Sequence, residues 1–181
     1  MERVVSKLNV LFLCTGNSCR SQMAEGWARR LKDDVIEPYS AGIEKHGLNP
    51  HAVKVMAEAG VDISKHCSKT PADLGPLQFD YVVTVCGEAN EQCPIFSGKA
   101  KVMHVGFDDP PKITRHLPDG EEKLSVYRRV RDEIRRFIET LPATFENENL
   151  IKASSPHPSP PTPKGFGVQE ERGRALGKVR L

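Results

Sequence analysis

The sequence predicts an α/β domain on an open, four-stranded parallel sheet of order 2-1-3-4, with helices on both faces. Strand-like and helix-like patterns alternate along the chain, which is how a parallel sheet with crossover helices reads. The first strand pattern, Asn9-Val10-Leu11-Phe12-Leu13, runs directly into a short polar loop and a helix. A later run from Phe79 to Cys86 is near-continuously apolar and β-branched, as expected for a strand covered on both faces.

Each element has its own local reason. Strand one spans about Leu8 to Leu13 and the following helix about Ser21 to Leu31, with a second strand around Ile36 to Ala41. Asn49-Pro50 offers an N-cap and an N1 proline to a helix carrying Val53, Met56 and Ala57, which Gly60 stops. Thr70-Pro71 repeats that start signal for a shorter helix. The third strand covers Phe79 to Cys86, and a fourth is expected over Lys101 to Gly106. Glu121 to Leu141 is the clearest amphipathic helix, with Leu124, Tyr127, Val130, Ile134, Phe137, Ile138 and Leu141 at helical spacing.

The 181 residues suit one domain, expected over 1–145, followed by a tail. In residues 146–181 the periodicity collapses into a Pro/Ser-rich stretch and scattered charge, a composition expected to stay disordered because it buries too little apolar surface to offset ordering entropy. A formal net charge of +2 implies no long-range field for nucleic acid or a membrane surface. No signal-peptide pattern opens the chain, so a cytoplasmic location is the expectation, and the five cysteines read as reactive thiols rather than a disulfide framework.

The chemistry concentrates in Cys14-Thr15-Gly16-Asn17-Ser18-Cys19-Arg20-Ser21. A strand ending in such a loop and opening a helix turns several backbone N–H groups toward one small volume, where the helix dipole also favours negative charge. With the Arg20 guanidinium, the volume becomes a cradle for a tetrahedral oxyanion, formed by Thr15, Gly16, Asn17, Ser18, Cys19 and Arg20. Cys14 at its mouth is expected to be held as the attacking thiolate. Ser21 can hydrogen-bond that thiolate, and Asn17 can shape the loop because asparagine tolerates positive φ. The loop lacks Gly-Lys-Ser/Thr and is therefore no nucleotide P-loop. The Cys/His spacings fit no zinc site, so neither metal nor cofactor is expected.

A second cluster, Cys86-Gly87-Glu88-Ala89-Asn90-Glu91-Gln92-Cys93, begins at the end of the third strand. In a 2-1-3-4 sheet, strands one and three are neighbours roughly 4.8 Å apart, so Cys14 and Cys86 fall within disulfide reach. Seven helical residues span about 10 Å, so a Cys86–Cys93 bridge requires that segment to unwind. The spacing suggests a redox relay with a moving part.

Together with Phe107-Asp108-Asp109-Pro110, Ser21 to Trp27, Tyr39 to Glu44, His46 to Pro50 and Arg129 to Ile134, these motifs resemble the thioredoxin-coupled arsenate reductases, built on the low-molecular-weight tyrosine-phosphatase fold. The likeness runs from about Val10 to Leu141. It implies a Cys14 thiol-arsenate adduct, a Cys14–Cys86–Cys93 disulfide relay regenerated by thioredoxin, and Asp109, which precedes a proline, as proton donor. It further implies phosphate and sulfate as competing oxyanions, and a monomer. Some family members hold a monovalent cation near positions matching Asn17, Glu25 and Ser40; here Lys69 stands where an acidic ligand aligns, so its ammonium is expected to replace potassium. Two other readings stay open: a phosphatase acting through phosphocysteine, which needs Cys14, Arg20 and Asp109 only, and a non-catalytic oxyanion or redox sensor.

Overall fold

The computed structural model describes residues 6–86 and 100–147. Four strands, β1 (Leu8–Cys14), β2 (Ile36–Gly42), β3 (Tyr81–Thr84) and β4 (Lys101–His104), form one parallel sheet in the order β2-β1-β3-β4. Its helices are α1 (Arg20–Leu31), α2 (Pro50–Glu58), α3 (Pro110–Ile113), α4 (Glu121–Glu139) and α5 (Ala143–Glu146). None among the described residues is long and apolar enough to cross a membrane.

Strand β1 is central because it alone carries four consecutive apolar residues with both faces covered; Val10, Leu11, Phe12 and Leu13 are fully buried. It pairs with β2 from Leu8↔Ile36 to Cys14↔Gly42 and with β3 from Val10↔Tyr81 to Leu13↔Thr84. That register brings the ends of β1 and β3 side by side, carrying Cys14 and Cys86 to the same C-terminal end of the sheet. The apolar stripe of α4 is buried as its spacing demands, and α1 is buried along a continuous stretch, Ser21 to Ala28, between the sheet and α4.

The cap signals act as expected at α2. Asn49 Oδ1 accepts from the backbone N–H of His51 at 2.9 Å and Ala52 at 3.1 Å. Gly60, at φ +77°, takes the left-handed conformation that ends the helix.

Thr70-Pro71 starts a short helix as expected, the 3-10 helix Pro71–Leu74, which Gly75 ends at φ +69° after one turn. Two strand lengths needed adjusting: the third strand is Tyr81–Thr84, shorter than Phe79 to Cys86, and β4 stops at His104 rather than Gly106. Beyond those ends single bonds continue, from Val85 N to Leu13 O and from Phe107 N to Val85 O, but the backbone is already turning to deliver Cys86 and the Asp109 loop. The short helices α3 and α5 had no periodic signal long enough to read. Cys93 and residues 148–181 lie outside the described residues.

Candidate active site

The loop from Cys14 to Ser21 is shaped by where its carbonyls go. The carbonyl oxygens of Cys14, Thr15, Gly16 and Ser18 accept hydrogen bonds from the N–H groups of Ile43, Glu44, His46 and Asn49, at 2.9 to 3.1 Å. That of Asn17 accepts from Ser68 Oγ at 2.7 Å and Gln22 Nε2 at 3.1 Å. In a trans peptide the N–H points opposite the C=O, so drawing these carbonyls outward turns the N–H groups inward, around the Cys14 sulfur. Asn17 N donates to Cys14 Sγ at 3.2 Å. Cys19, the N-cap of α1, makes no side-chain cap bond, so the first turn of the helix opens toward the same volume.

Asn17 is the hub. Its φ of +44° makes it the non-glycine residue in the left-handed region that closes the loop, and it is fully buried. Its Nδ2 donates to Ser21 Oγ and Ser40 Oγ, both at 2.9 Å, while its Oδ1 accepts from Gln22 Nε2 and the Lys69 backbone N–H. Ser21 Oγ lies 2.8 Å from Cys14 Sγ. Since Ser21 already accepts from Asn17, its own proton is free to face the sulfur, so two donors stabilise negative charge there. Gln22 also donates to Cys67 O and faces His66 Nδ1 at 2.9 Å. Burial holds His66 below the ordinary histidine range, which suits a neutral ring donating from Nδ1 to the Gln22 carbonyl.

Gly42 sets the close approach of β2 to the loop. A Cβ there would fall 2.5 Å from Asn17 N, 2.5 Å from Glu44 O and 2.8 Å from Gly16 C. All three are backbone atoms that cannot swing aside. Gly42→Ala is therefore expected to displace the Asn17 N–H from the sulfur and lower kcat/KM at least about tenfold, with about 1–3 kcal/mol lost in stability from overpacking. Steady-state kinetics alongside a urea melt would check both, and wild-type kinetics in this variant would mean the loop is not built on this contact.

Lys69 Nζ stands 3.7 Å from Glu25 Oε2, and Ser40 Oγ donates to the same carboxylate oxygen. An ammonium therefore sits beside the Asn17–Ser40–Glu25 group. Activity is expected to change less than about twofold when potassium replaces sodium at constant ionic strength, whereas Lys69→Ala exposes the nearly buried Glu25 charge and lowers it. Specific activation of the unmodified chain by potassium would contradict this.

The remaining predicted residues meet around the same mouth. Arg20, whose side chain is 11% exposed, donates from Nη1 to Phe107 O at 3.0 Å and places Nη2 3.4 Å from Asp109 Oδ2. Cys86, buried, has Sγ 3.4 Å from Thr15 Oγ1, the residue next to Cys14. Cys19 is also buried and burial pushes its thiol far above the usual range, so it offers the loop its backbone and not a nucleophile. Cys14, Cys19, Cys67 and Cys86 are all free thiols. No cluster of metal-ligating side chains occurs among the described residues.

The roles of Gln22, Ser68 and Gly42 escaped sequence reasoning. A signal existed for the first: Gln22, like Glu25, is a polar residue among Met23, Ala24, Trp27 and Ala28 in a helix buried nearly all round. A polar side chain there must find partners, and the loop supplies them.

Residues 9–151 match the family model for low molecular weight phosphotyrosine protein phosphatase. Over 140 residues the chain is 49% identical to an arsenate reductase of Halalkalibacterium halodurans, spanning 77% of this chain and 99% of that protein. A solved arsenate reductase in the oxidized state aligns with a TM-score of 0.60 at 29% identity, covering 81% of this chain and 98% of that one. Another, in the phosphate binding state, aligns with a TM-score of 0.53 at 29% identity over 82% and 99% of the two chains.

Proposed function

This chain belongs to the low molecular weight phosphotyrosine protein phosphatase family, and from that premise we propose that it reduces arsenate to arsenite with its own thiols. One observation carries the reading: a second buried thiol, Cys86, reaches the oxyanion loop beside Cys14 through Thr15. Hydrolysis of a phosphocysteine needs no such thiol. A two-electron reduction needs two.

Arsenate enters the cradle of loop N–H groups, with Arg20 balancing its charge. The Cys14 thiolate attacks arsenic, forming an S–As bond as an As–O bond breaks. Asp109 gives its proton to the departing oxygen, which leaves as water. The Cys86 thiolate then attacks Cys14 Sγ. A Cys14–Cys86 disulfide forms, and the electron pair of the S–As bond stays with arsenic, which departs as arsenite. Two sulfurs have lost the two electrons that arsenic gained. The Thr15 hydroxyl, 3.4 Å from Cys86 Sγ, is placed to orient that sulfur for the second attack.

Regeneration belongs to the same proposal. Cys93 attacks Cys86 Sγ, releases Cys14 as thiolate and carries the disulfide to Cys86–Cys93, which a thioredoxin dithiol reduces. The 49%-identical relative is an arsenate reductase by name, which supports the substrate. Phosphate, a tetrahedral anion of the same charge, is expected to compete for the loop, as is sulfate.

The test is a single turnover without reductant. Arsenate should yield about one arsenite per chain, and peptide mass spectrometry should find Cys86 joined to Cys93. Unchanged thiols after arsenate, with hydrolysis of an aryl phosphate instead, would replace this reading with a phosphatase.

A further inference from the structure

We propose that Arg129 and Glu133 are positioning residues for the general acid, holding Asp109 in place through Asp108. The inference rests on the assignment of Asp109 as proton donor made above.

The stretch carrying Asp109 leaves the sheet after Phe107 N bonds Val85 O at 3.3 Å. Its two flanks are anchored differently. On the far side, Pro110 and Pro111 have φ locked near −65° and open α3, with Asp109 as N-cap. On the near side, the Phe107 N–H is held by Val85 O and the Phe107 carbonyl by Arg20 Nη1. Arg20 restrains Asp109 itself only loosely, at 3.4 Å, and must also serve the substrate. Asp108, between these anchors, has a tether of its own.

Arg129 provides it. From α4, its Nη2 donates to Asp108 Oδ2 at 2.8 Å, while Nη1 donates to Glu133 Oε1 at 2.8 Å, one helical turn on. A planar guanidinium gripping a carboxylate at each Nη has little freedom left. Glu133 is nearly buried, 7% exposed, and its Oε2 finds no hydrogen-bond partner among the described residues. Burying a carboxylate so incompletely paired costs stability that an apolar side chain of the same size would avoid. What Glu133 does accomplish is to aim Arg129 at Asp108. Phe107 packs against Phe137, one turn further along α4, so the acid loop is fixed to this helix at two neighbouring points.

A double-mutant cycle on arsenate reduction tests the arrangement. Arg129→Met should lower kcat about 10- to 100-fold with KM for arsenate within about threefold, because a misplaced acid slows the step it assists without weakening the anion cradle. In an Asp109→Asn background the same change should cost less than about threefold, since the group being positioned is already gone. Arg129→Lys, which can hold only one carboxylate, should fall between. If Arg129→Met does not fold, Asp108→Asn leaves α4 intact and is expected to give the same pattern. An equal loss in both backgrounds, or a loss confined to KM, overturns the positioning role. Unchanged kcat in Asp109→Asn alone would instead remove Asp109 as the acid, and the tether with it.

Discussion

Cys14→Ser is expected to abolish arsenate reduction, by at least about 10⁴-fold, while leaving oxyanion binding nearly intact. Serine fits: it is smaller than cysteine, and Asn17 N and Ser21 Oγ can donate to its oxygen as they do to the sulfur. The alcohol is not ionised at neutral pH, however, and two hydrogen bonds cannot lower its ionisation cost enough to replace a thiolate. Even an oxygen–arsenic adduct would lead nowhere, because a thiol attacking it has no sulfur to oxidise. The cradle meanwhile depends on outward-turned carbonyls and Arg20, none of which the substitution touches. Titration calorimetry with inorganic phosphate should give a Kd within a few-fold of the unmodified chain, while arsenite production falls to background. Residual turnover above about one part in a thousand would mean another thiol can open the reaction.

Cys86→Ser should stop the reaction one step later and just as completely, with turnover down at least about 10³-fold. The first attack needs only Cys14, the loop and Asp109, so arsenic should still be captured. The S–As bond then has no nucleophile to break it at sulfur, no electrons reach arsenic, and the adduct can only hydrolyse back to arsenate. The serine hydroxyl can keep a hydrogen bond to Thr15, so the loss is one of redox chemistry, not of packing. Oxygen exchange from labelled water into arsenate should therefore persist without arsenite appearing. Cys67→Ser is the matched control: its thiol is exposed, and the segment supports the loop through Cys67 O, which the substitution preserves. Its turnover should stay within about twofold. If Cys86→Ser still produces arsenite and Cys67→Ser does not, the second thiol has been misassigned.

The legible and illegible parts of this molecule divide by how far each interaction reaches along the chain. Local patterns spoke clearly. The apolar run of β1, the six spaced apolar residues of α4, the Asn49-Pro50 start and the Gly60 stop each involve neighbours within a few residues. The strand-to-helix loop with Cys14 and Arg20 was also readable, because backbone direction alone turns its N–H groups together. Cys86 could be set beside that loop once a parallel sheet order was assumed. The length of β3 could not be read: an apolar run says where a strand can lie, and only its partners say where pairing stops.

By itself, then, the sequence determined the sheet and its crossover helices, the oxyanion loop, and which sulfurs stand at the ends of its strands, because periodicity and turn chemistry are short-range. Tertiary structure alone decided the rest. Gly42 matters because β2 passes within van der Waals contact of residues 16 and 17. Gln22 and Ser68 matter because a buried carbonyl at Asn17 had to be satisfied from 51 residues away as well as from the helix that follows the loop. Arg129 matters because a loop more than twenty residues earlier comes to rest against α4. Such contacts leave no periodic trace in the chain; they come into being only when the layers pack.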